Sequence, residues 1–214
     1  MPDLNTTPSQ HFDFSQIGFI KSAPSLALSP DDTGIEVAFV GRSNAGKSSA
    51  INTIANRDKL ARTSKTPGRT QMINYFRIDD HRRLVDLPGY GYAKVPQRIQ
   101  QQLEELLSTY LSNRKCLQGL VLLMDIRHPM TSADQRLISF AQQCSLPIHV
   151  LLTKCDKLKR GASNSTLLEV RQALSVYPKI SVQTFSAMKR LGIEECHMKL
   201  DDWFNFDTPR TFEF

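Results

Sequence analysis

Few folds accommodate the segment Gly41-Arg42-Ser43-Asn44-Ala45-Gly46-Lys47-Ser48. Its spacing, G-x-x-x-x-G-K-S, lies between a short apolar run, Glu36-Val37-Ala38-Phe39-Val40, and a helix predicted over Ser48 to Ala55. Such a loop works only when a strand delivers it and the N-terminus of a helix receives it. The glycines let successive backbone N–H groups turn inward without a Cβ clash, and the helix N-terminus faces an anion. Lys47 would reach the β- and γ-phosphates of a nucleotide. The Ser48 hydroxyl would ligate Mg2+, a hard cation suited to oxygen ligands.

The rest of the chain alternates in the way this loop requires. Met72 to Ile78 and Arg83 to Asp86 read as strands, and 97–112 as an amphipathic helix with Ile99, Leu103, Leu106, Leu107, Tyr110 and Leu111 on one face. Gly119 to Asp125 is a continuous apolar run, as expected of a strand buried on both sides. Ser132-x-x-Gln135 predicts a capping box for the next helix. Pro147 to Leu152 follows as a strand, Thr166-x-x-Glu169 opens a helix that must stop before Pro178, Ile180 to Phe185 is a last strand and 190–204 a last helix. Strands alternating with helices imply an α/β fold with a mostly parallel six-stranded sheet and helices on both faces. Residues 1–34, rich in Pro, Ser, Thr and Asp, read as an extension, partly ordered at most; 35–206 form the domain and 207–214 a tail.

Two further segments gain meaning from their places at strand ends. Asp86-Leu87-Pro88-Gly89 gives D-x-x-G, where Asp86 could hold Mg2+ through a water and the Gly89 N–H could sense a γ-phosphate. Gly89 and Gly91 make this segment mobile, which is the physical basis of a switch. Thr153-Lys154-Cys155-Asp156 ends a buried strand, where ligands of open α/β sheets bind. Asp156 could accept two hydrogen bonds from the N1–H and N2–H2 edge of guanine, which adenine lacks. The Lys154 stem could lie over the base, and Ser186-Ala187 could offer a backbone N–H to the guanine O6.

With 27 Lys and Arg against 21 Asp and Glu the chain carries +6. Residues 1–34 hold Lys21 against Asp3, Asp13, Asp31 and Asp32, a net of −3, so the remainder carries +9. That excess suits a polyanionic partner such as nucleic acid, or is only a soluble basic surface. The same two readings apply to the loop Arg57 to Thr70, where Arg57, Lys59, Arg62, Lys65 and Arg69 face only Asp58. No apolar run approaches the roughly 20 residues of a membrane span, and no basic-then-apolar leader opens the chain. Cys116, Cys144, Cys155 and Cys196 form no C-x-x-C pair, which suits reduced thiols in a cytoplasm. His81, His128 and His197 lack metal-ligand spacing.

In order along the chain, GRSNAGKSSAIN, TSKTPGRTQMINYF, DLPGYGYAKVP, MDIRHPMTSAD, LLTKCDKL and FSAMKRLGI resemble the EngB family of bacterial ribosome-assembly GTPases, within the TrmE-Era-EngA-EngB-Septin-like superfamily. The resemblance spans residues 20–205, and TSKTPGRTQ, DLPGYGYA and DIRHP are its most particular parts. It implies a single domain of the three-layer P-loop GTPase fold, Mg2+ dependence, GTP and GDP as ligands, a role in assembly of the large (50S) ribosomal subunit and a link to normal cell division and septation. It also implies a cytoplasmic monomer with neither DNA nor a membrane span among its partners. Carried over residue by residue, the cradle falls on Gly41, Arg42, Ser43, Asn44, Ala45, Gly46, Lys47 and Ser48. The first switch falls on Gly68, Arg69, Thr70, Gln71 and Met72, with Thr70 joining Ser48 and Asp86 at the magnesium. The second falls on Asp86, Leu87, Pro88 and Gly89, and base recognition on Thr153, Lys154, Cys155, Asp156, Phe185, Ser186 and Ala187. Ala45 and Ala50 stand where related sequences often have Val and Leu, a change of packing rather than chemistry.

The expected catalytic set is Lys47, Thr70, Gly89 and Asn44. In Ras-like switches a Gln directly after D-x-x-G orients the attacking water; here Tyr90 stands there and cannot do so with its ring facing the phosphate, which implies slow intrinsic hydrolysis. Asn44 either helps hold a monovalent cation such as K+ beside the phosphates, as in related GTPases, or merely braces the loop. With the resemblance, two functions stay open: a GTP-hydrolysing switch on a pre-ribosomal particle, or a nucleotide-stabilised RNA-binding module in which turnover is incidental. An ATP-using enzyme is disfavoured by Thr153 to Asp156.

Overall fold

The structure, a computed structural model, describes residues 11–61, 72–91 and 96–205. Strand β1 (Gly18–Ala23) precedes β2 (Ile35–Gly41), helix α1 (Lys47–Ile54), β3 (Ile73–Arg77), β4 (Arg82–Asp86) and α2 (Gln97–Asn113). Then follow β5 (Leu117–Asp125), α3 (Ser132–Gln143), β6 (Ile148–Thr153), α4 (Arg160–Leu174), β7 (Ile180–Thr184) and α5 (Ile193–Phe204). One sheet in the order β1-β3-β4-β2-β5-β6-β7 runs through the molecule. β2, β4, β5, β6 and β7 pair in parallel, and β3 and β1 add an antiparallel edge.

The central strands β2, β5 and β6 are largely apolar because both of their faces are covered. Side chains alternate between two cores. Ala38 and Val40 of β2 join Leu120, Leu122 and Met124 of β5 under α2, α3 and α4. Val37 and Phe39 join Val121 and Leu123 under α1 and α5. Trp203 and Phe204 close this second core. The Trp203 ring lies so near Gly119 that a Cβ there would come within 2.4 Å of it, so only glycine admits the ring.

Four sequence expectations change. The sheet has seven strands, not six, because Gly18–Ala23 of the supposed extension pairs with β3. The apolar residues ahead of it explain why: Phe14 and Ile17 are buried beneath α5, and Phe12 packs edge-on against Phe204. His11 and the Phe12 N–H also bond Asp201 of α5, at 2.8 and 3.2 Å. The α3 capping box is Thr131 with Asp134, one residue ahead of the Ser132–Gln135 pair. Asp134 Oδ2 accepts from the Thr131 N–H at 2.8 Å, and the Asp134 N–H donates back to Thr131 Oγ1. Thr166 and Glu169 lie inside α4, which begins at Arg160 without a side-chain cap. Finally, α5 begins at Ile193, after Gly192 takes a left-handed turn (φ 76°) that stops the chain from being helical from 190.

Two buried polar sites stand apart from the loop end of the sheet. At the start of β2, fully buried Glu36 accepts from Arg83 Nε (2.8 Å), Arg114 Nη2 (2.7 Å), Arg114 Nε (2.8 Å) and the Tyr110 hydroxyl (2.6 Å). On β6, His149 receives the Ser181 hydroxyl at Nδ1 (2.7 Å), and its Nε2–H donates to Gln183 Oε1 (2.7 Å). The Gln183 amide is oriented by donating to the Gly192 carbonyl at 2.7 Å, so the neutral Nε2–H tautomer is the one that fits.

Burial pushes the His149 imidazole down to about 4, against the partial opposition of Gln183. The unfolded chain titrates near 6.5, so between these values it binds a proton that the native ring refuses. Stability is therefore complete above pH 6.5 and declines as the pH falls toward 4, by about 3 kcal/mol for this group. Denaturation of His149→Gln across pH 4–7 should show a markedly shallower acid slope than the parent. An unchanged slope would place the acid sensitivity elsewhere.

Candidate functional site

The C-terminal ends of β2, β4, β5 and β6 converge on one rim. From central β2 the chain turns to β3 and β4 on one side and later to β5 on the other, which is the switch point where open α/β sheets bind ligands. The loop from Gly41 to Ser48 sits there as the sequence requires. A Cβ on Gly41 would meet the Leu123 carbonyl at 2.8 Å, so the loop leaves the strand through a gap only glycine fits. Gly46 caps α1 in the left-handed region (φ 92°), and Lys47 and Ser48 open the helix, whose first N–H groups have no intrahelical acceptor. Asn44 is also left-handed (φ 64°).

Asp86 ends β4 beside this loop. It is buried, and its carboxylate pairs with the Lys47 ammonium while Oδ2 accepts from Asn74 Nδ2 at 3.3 Å. Leu87 is fixed by its N–H to the Phe39 carbonyl (3.0 Å) and by its buried side chain, and Pro88 and Gly89 carry the chain on to Tyr90. The Tyr90 N–H bonds the Gly41 carbonyl (3.3 Å), and the Ser43 N–H bonds the Tyr90 carbonyl (3.1 Å), so the D-x-x-G segment is stitched onto the cradle. The Tyr90 ring does not face the phosphates. It is buried, and its hydroxyl donates to Asp134 Oδ1 at 2.6 Å. Burial, with Asp134 beside it, holds the Tyr90 phenol well above its ordinary range.

A cavity of about 380 Å³ opens beside the cradle, lined by Gly46, Lys154, Asp156, Phe185, Ala187 and Met188 among others. The Thr153 hydroxyl bonds the Ala45 carbonyl (2.6 Å), and Lys154 Nζ bonds the Asn44 carbonyl (2.7 Å), so the two motifs are joined. Asp156 Oδ1 accepts from the Ser186 hydroxyl at 2.5 Å. Its Oδ2 is buried without a hydrogen-bond partner; Lys157 Nζ, at 3.6 Å, is an ion-pair neighbour only. The Ser186 hydroxyl keeps the carboxyl below its usual range, so at neutral pH it only accepts. An orphaned acceptor in a base-sized cavity fits a ligand edge with adjacent donors, as on guanine. Cys155 is buried and burial raises its thiol, which suits packing and not nucleophilic attack. A larger groove between Pro24–Leu26 and α2, about 630 Å³, offers no such orphaned buried carboxylate among the described residues.

Sequence reasoning missed the neighbours that set these groups. Asp125, at the end of β5, accepts from Lys154 Nζ (2.9 Å) and from Arg127 Nε and Nη2 (2.9 and 2.6 Å). Burial opposes its ionisation, but the Arg127 and Lys154 donors outweigh burial and hold it well below the carboxylate range. The run MDIRHP, singled out for its family character, was the available signal. Of the first-switch residues, Gly68, Arg69, Thr70 and Gln71 lie outside the described residues, and Met72 is half-exposed just before β3. For a metal, no group of three or more His, Cys, Asp or Glu comes together among the described residues. The oxygen donors Ser48 and Asp86 beside a phosphate cradle suit Mg2+, which takes one or two protein oxygens and completes its shell with phosphate and water.

A family model described as "50S ribosome-binding GTPase" matches residues 36–154. Among curated relatives, the probable GTP-binding protein EngB of Edwardsiella ictaluri is 52% identical over 94% of this chain and 93% of its own length. That of Coxiella burnetii is 53% identical over 95% and 98%. Among solved structures, a probable GTP-binding protein EngB superposes with a TM-score of 0.65 at 22% identity, over 79% of this chain and 98% of that one. Era from Aquifex aeolicus also gives 0.65, at 18% identity, over 85% and 62%. These structures share the α/β P-loop GTPase fold. The cradle, the D-x-x-G strand end and the orphaned Asp156 oxygen share one rim of the sheet, and the chain belongs to the EngB family of GTP-binding proteins, a family of GTPases.

Proposed function

We propose that the chain is a GTP-operated switch acting in assembly of the large ribosomal subunit in the cytoplasm, and that normal division and septation depend on it. The observation that carries the switch is the double hydrogen bond between Tyr90 and the cradle at Gly41 and Ser43. It holds Gly89, the candidate γ-phosphate sensor, against the phosphate site, so a third phosphate would be felt by the segment leading toward α2. The ribosomal partner is supported by the description of the matching family model and by the +9 charge of residues 35–214. Among the described residues no helix is long and apolar enough to cross a membrane.

Ser48 and Asp86, with Thr70, would hold Mg2+, which supplies neutralisation of the charge that builds on the phosphates. Lys47 and the cradle amides orient the phosphate chain. Tyr90, buried and bonded to Asp134, leaves the water-orienting position without a polar side chain, so intrinsic hydrolysis is slow. Asn44 would help a monovalent cation supply the missing charge. Turnover should rise by about tenfold in potassium over sodium at matched ionic strength, an effect equivalent to about 1.4 kcal/mol, and Asn44→Ala should abolish the difference. Equal rates in both salts, with and without the substitution, would remove the cation.

Cosedimentation with ribosomal subunits tests the whole reading, in GDP, in a non-hydrolysable GTP analogue and without nucleotide, across a salt series. Tighter association of the analogue form with large-subunit particles is expected, with affinity falling steeply as salt rises. By linkage the particle must then tighten GTP binding by the same factor. Equal association in all nucleotide states would instead make the chain a nucleotide-stabilised RNA-docking module.

A further inference from the structure

We propose that Asp125 is a positioning residue for nucleotide retention: it pins the Lys154 ammonium against the Asn44 carbonyl, keeps the Lys154 stem beside the base cavity and so slows release of the bound nucleotide. The inference rests on the guanine-nucleotide reading of the site. Lys154 takes a left-handed backbone conformation (φ 58°), which a lysine adopts only when its surroundings hold it there. Its ammonium has two fixed partners, the Asn44 carbonyl at 2.7 Å and Asp125 Oδ2 at 2.9 Å. Between them the stem passes Gly46, its Cε lying 3.9 Å from where a Cβ of Gly46 would stand. Cradle and base motif therefore meet through this one side chain as well as through Thr153.

Asp125 is itself oriented. The Arg127 guanidinium grips both its oxygens, at 2.9 and 2.6 Å, and the Arg127 N–H adds a third bond at 3.1 Å. Such a bidentate pair fixes direction as well as distance. The carboxylate sits at the end of β5, whose neighbours β2 and β6 carry the cradle and the base motif, so rigid strands set the clamp. Without Asp125 the long, flexible lysine would keep only one neutral acceptor, and its stem would sample positions away from the cavity.

The test is a double-substitution cycle on the full chain with magnesium, reading the dissociation rate of a fluorescent GDP by rapid mixing. Asp125→Asn should speed release about 10-fold or more, the size of one hydrogen bond between charged groups. Lys154→Met should speed it too, and adding Asp125→Asn to that background should change the rate less than twofold. Asp125→Asn should still prefer GDP over XDP, because Asp156 is untouched. A rate within twofold of the parent overturns the inference, as does the same acceleration in both backgrounds, which a general loss of fold would produce. A parent chain that retains no GDP would overturn the site reading itself, and the wild-type control separates that failure from the others.

Discussion

Replacing Glu36 by glutamine should lower the unfolding free energy by about 3–5 kcal/mol, the range found when one partner of a buried ion pair is removed. The cause is what stays behind. Arg114 is 3% exposed and donates twice to Glu36, Arg83 donates once more, and the Tyr110 hydroxyl fills the remaining site. Glutamine keeps the shape but turns an amide toward donors and leaves the guanidinium groups without a full counter-charge. Asp32, 3.7 Å from Arg114, compensates only in part because it is itself partly solvated. Chemical denaturation at neutral pH measures the loss. A decrease under about 1 kcal/mol would mean that water reaches the cluster and the bonds add little. Glu36 lies at the second position of β2 and Gly41 closes the strand about 17 Å further on, so nucleotide affinity of the folded fraction should hardly change.

Asp156→Asn should lower GDP and GTP affinity by about 100-fold or more while xanthine nucleotides gain. Two hydrogen bonds to a charged acceptor contribute about 1.5–3 kcal/mol each. The carboxylate offers two acceptors, matching the N1–H and N2–H2 donors of guanine. Asparagine offers an acceptor and a donor, matching the N1–H and C2 carbonyl of xanthine. Ser186 sets which way it turns: its hydroxyl donates to Oδ1, so the new amide nitrogen takes the place of the orphaned Oδ2. Parallel titrations with GDP and XDP read the exchange. A variant that still preferred GDP would show that the base is selected elsewhere.

Much of this site was legible because its parts are local. The cradle, D-x-x-G and the Thr153–Asp156 run each depend on residues a few positions apart, and the strand–helix alternation fixes where each must lie. The unread parts depend on distant pairing. Tyr90 meets Asp134 across 44 positions, Lys154 meets Asp125 across 29 and Arg114 meets Glu36 across 78. Nothing in the sequence near Tyr90 says that its ring turns into the α3 side of the core and away from the phosphates. The same holds for β1: a Pro- and Ser-rich stretch hides Phe14 and Ile17, whose burial under α5 is what draws Gly18–Ala23 onto the sheet edge. Capping was misplaced by one residue at α3 because aspartate serves the reciprocal bond as well as glutamine does.

The central claim is that one cavity, joined to one phosphate cradle, selects guanine through Asp156. Displacement of a fluorescent GDP from the unmodified full chain by unlabelled GDP, GTP and ADP, with magnesium present, measures this directly. GDP and GTP should displace it at concentrations at least about 100-fold below ADP, the difference of the two bonds that adenine cannot make. Comparable displacement by ADP would contradict the account.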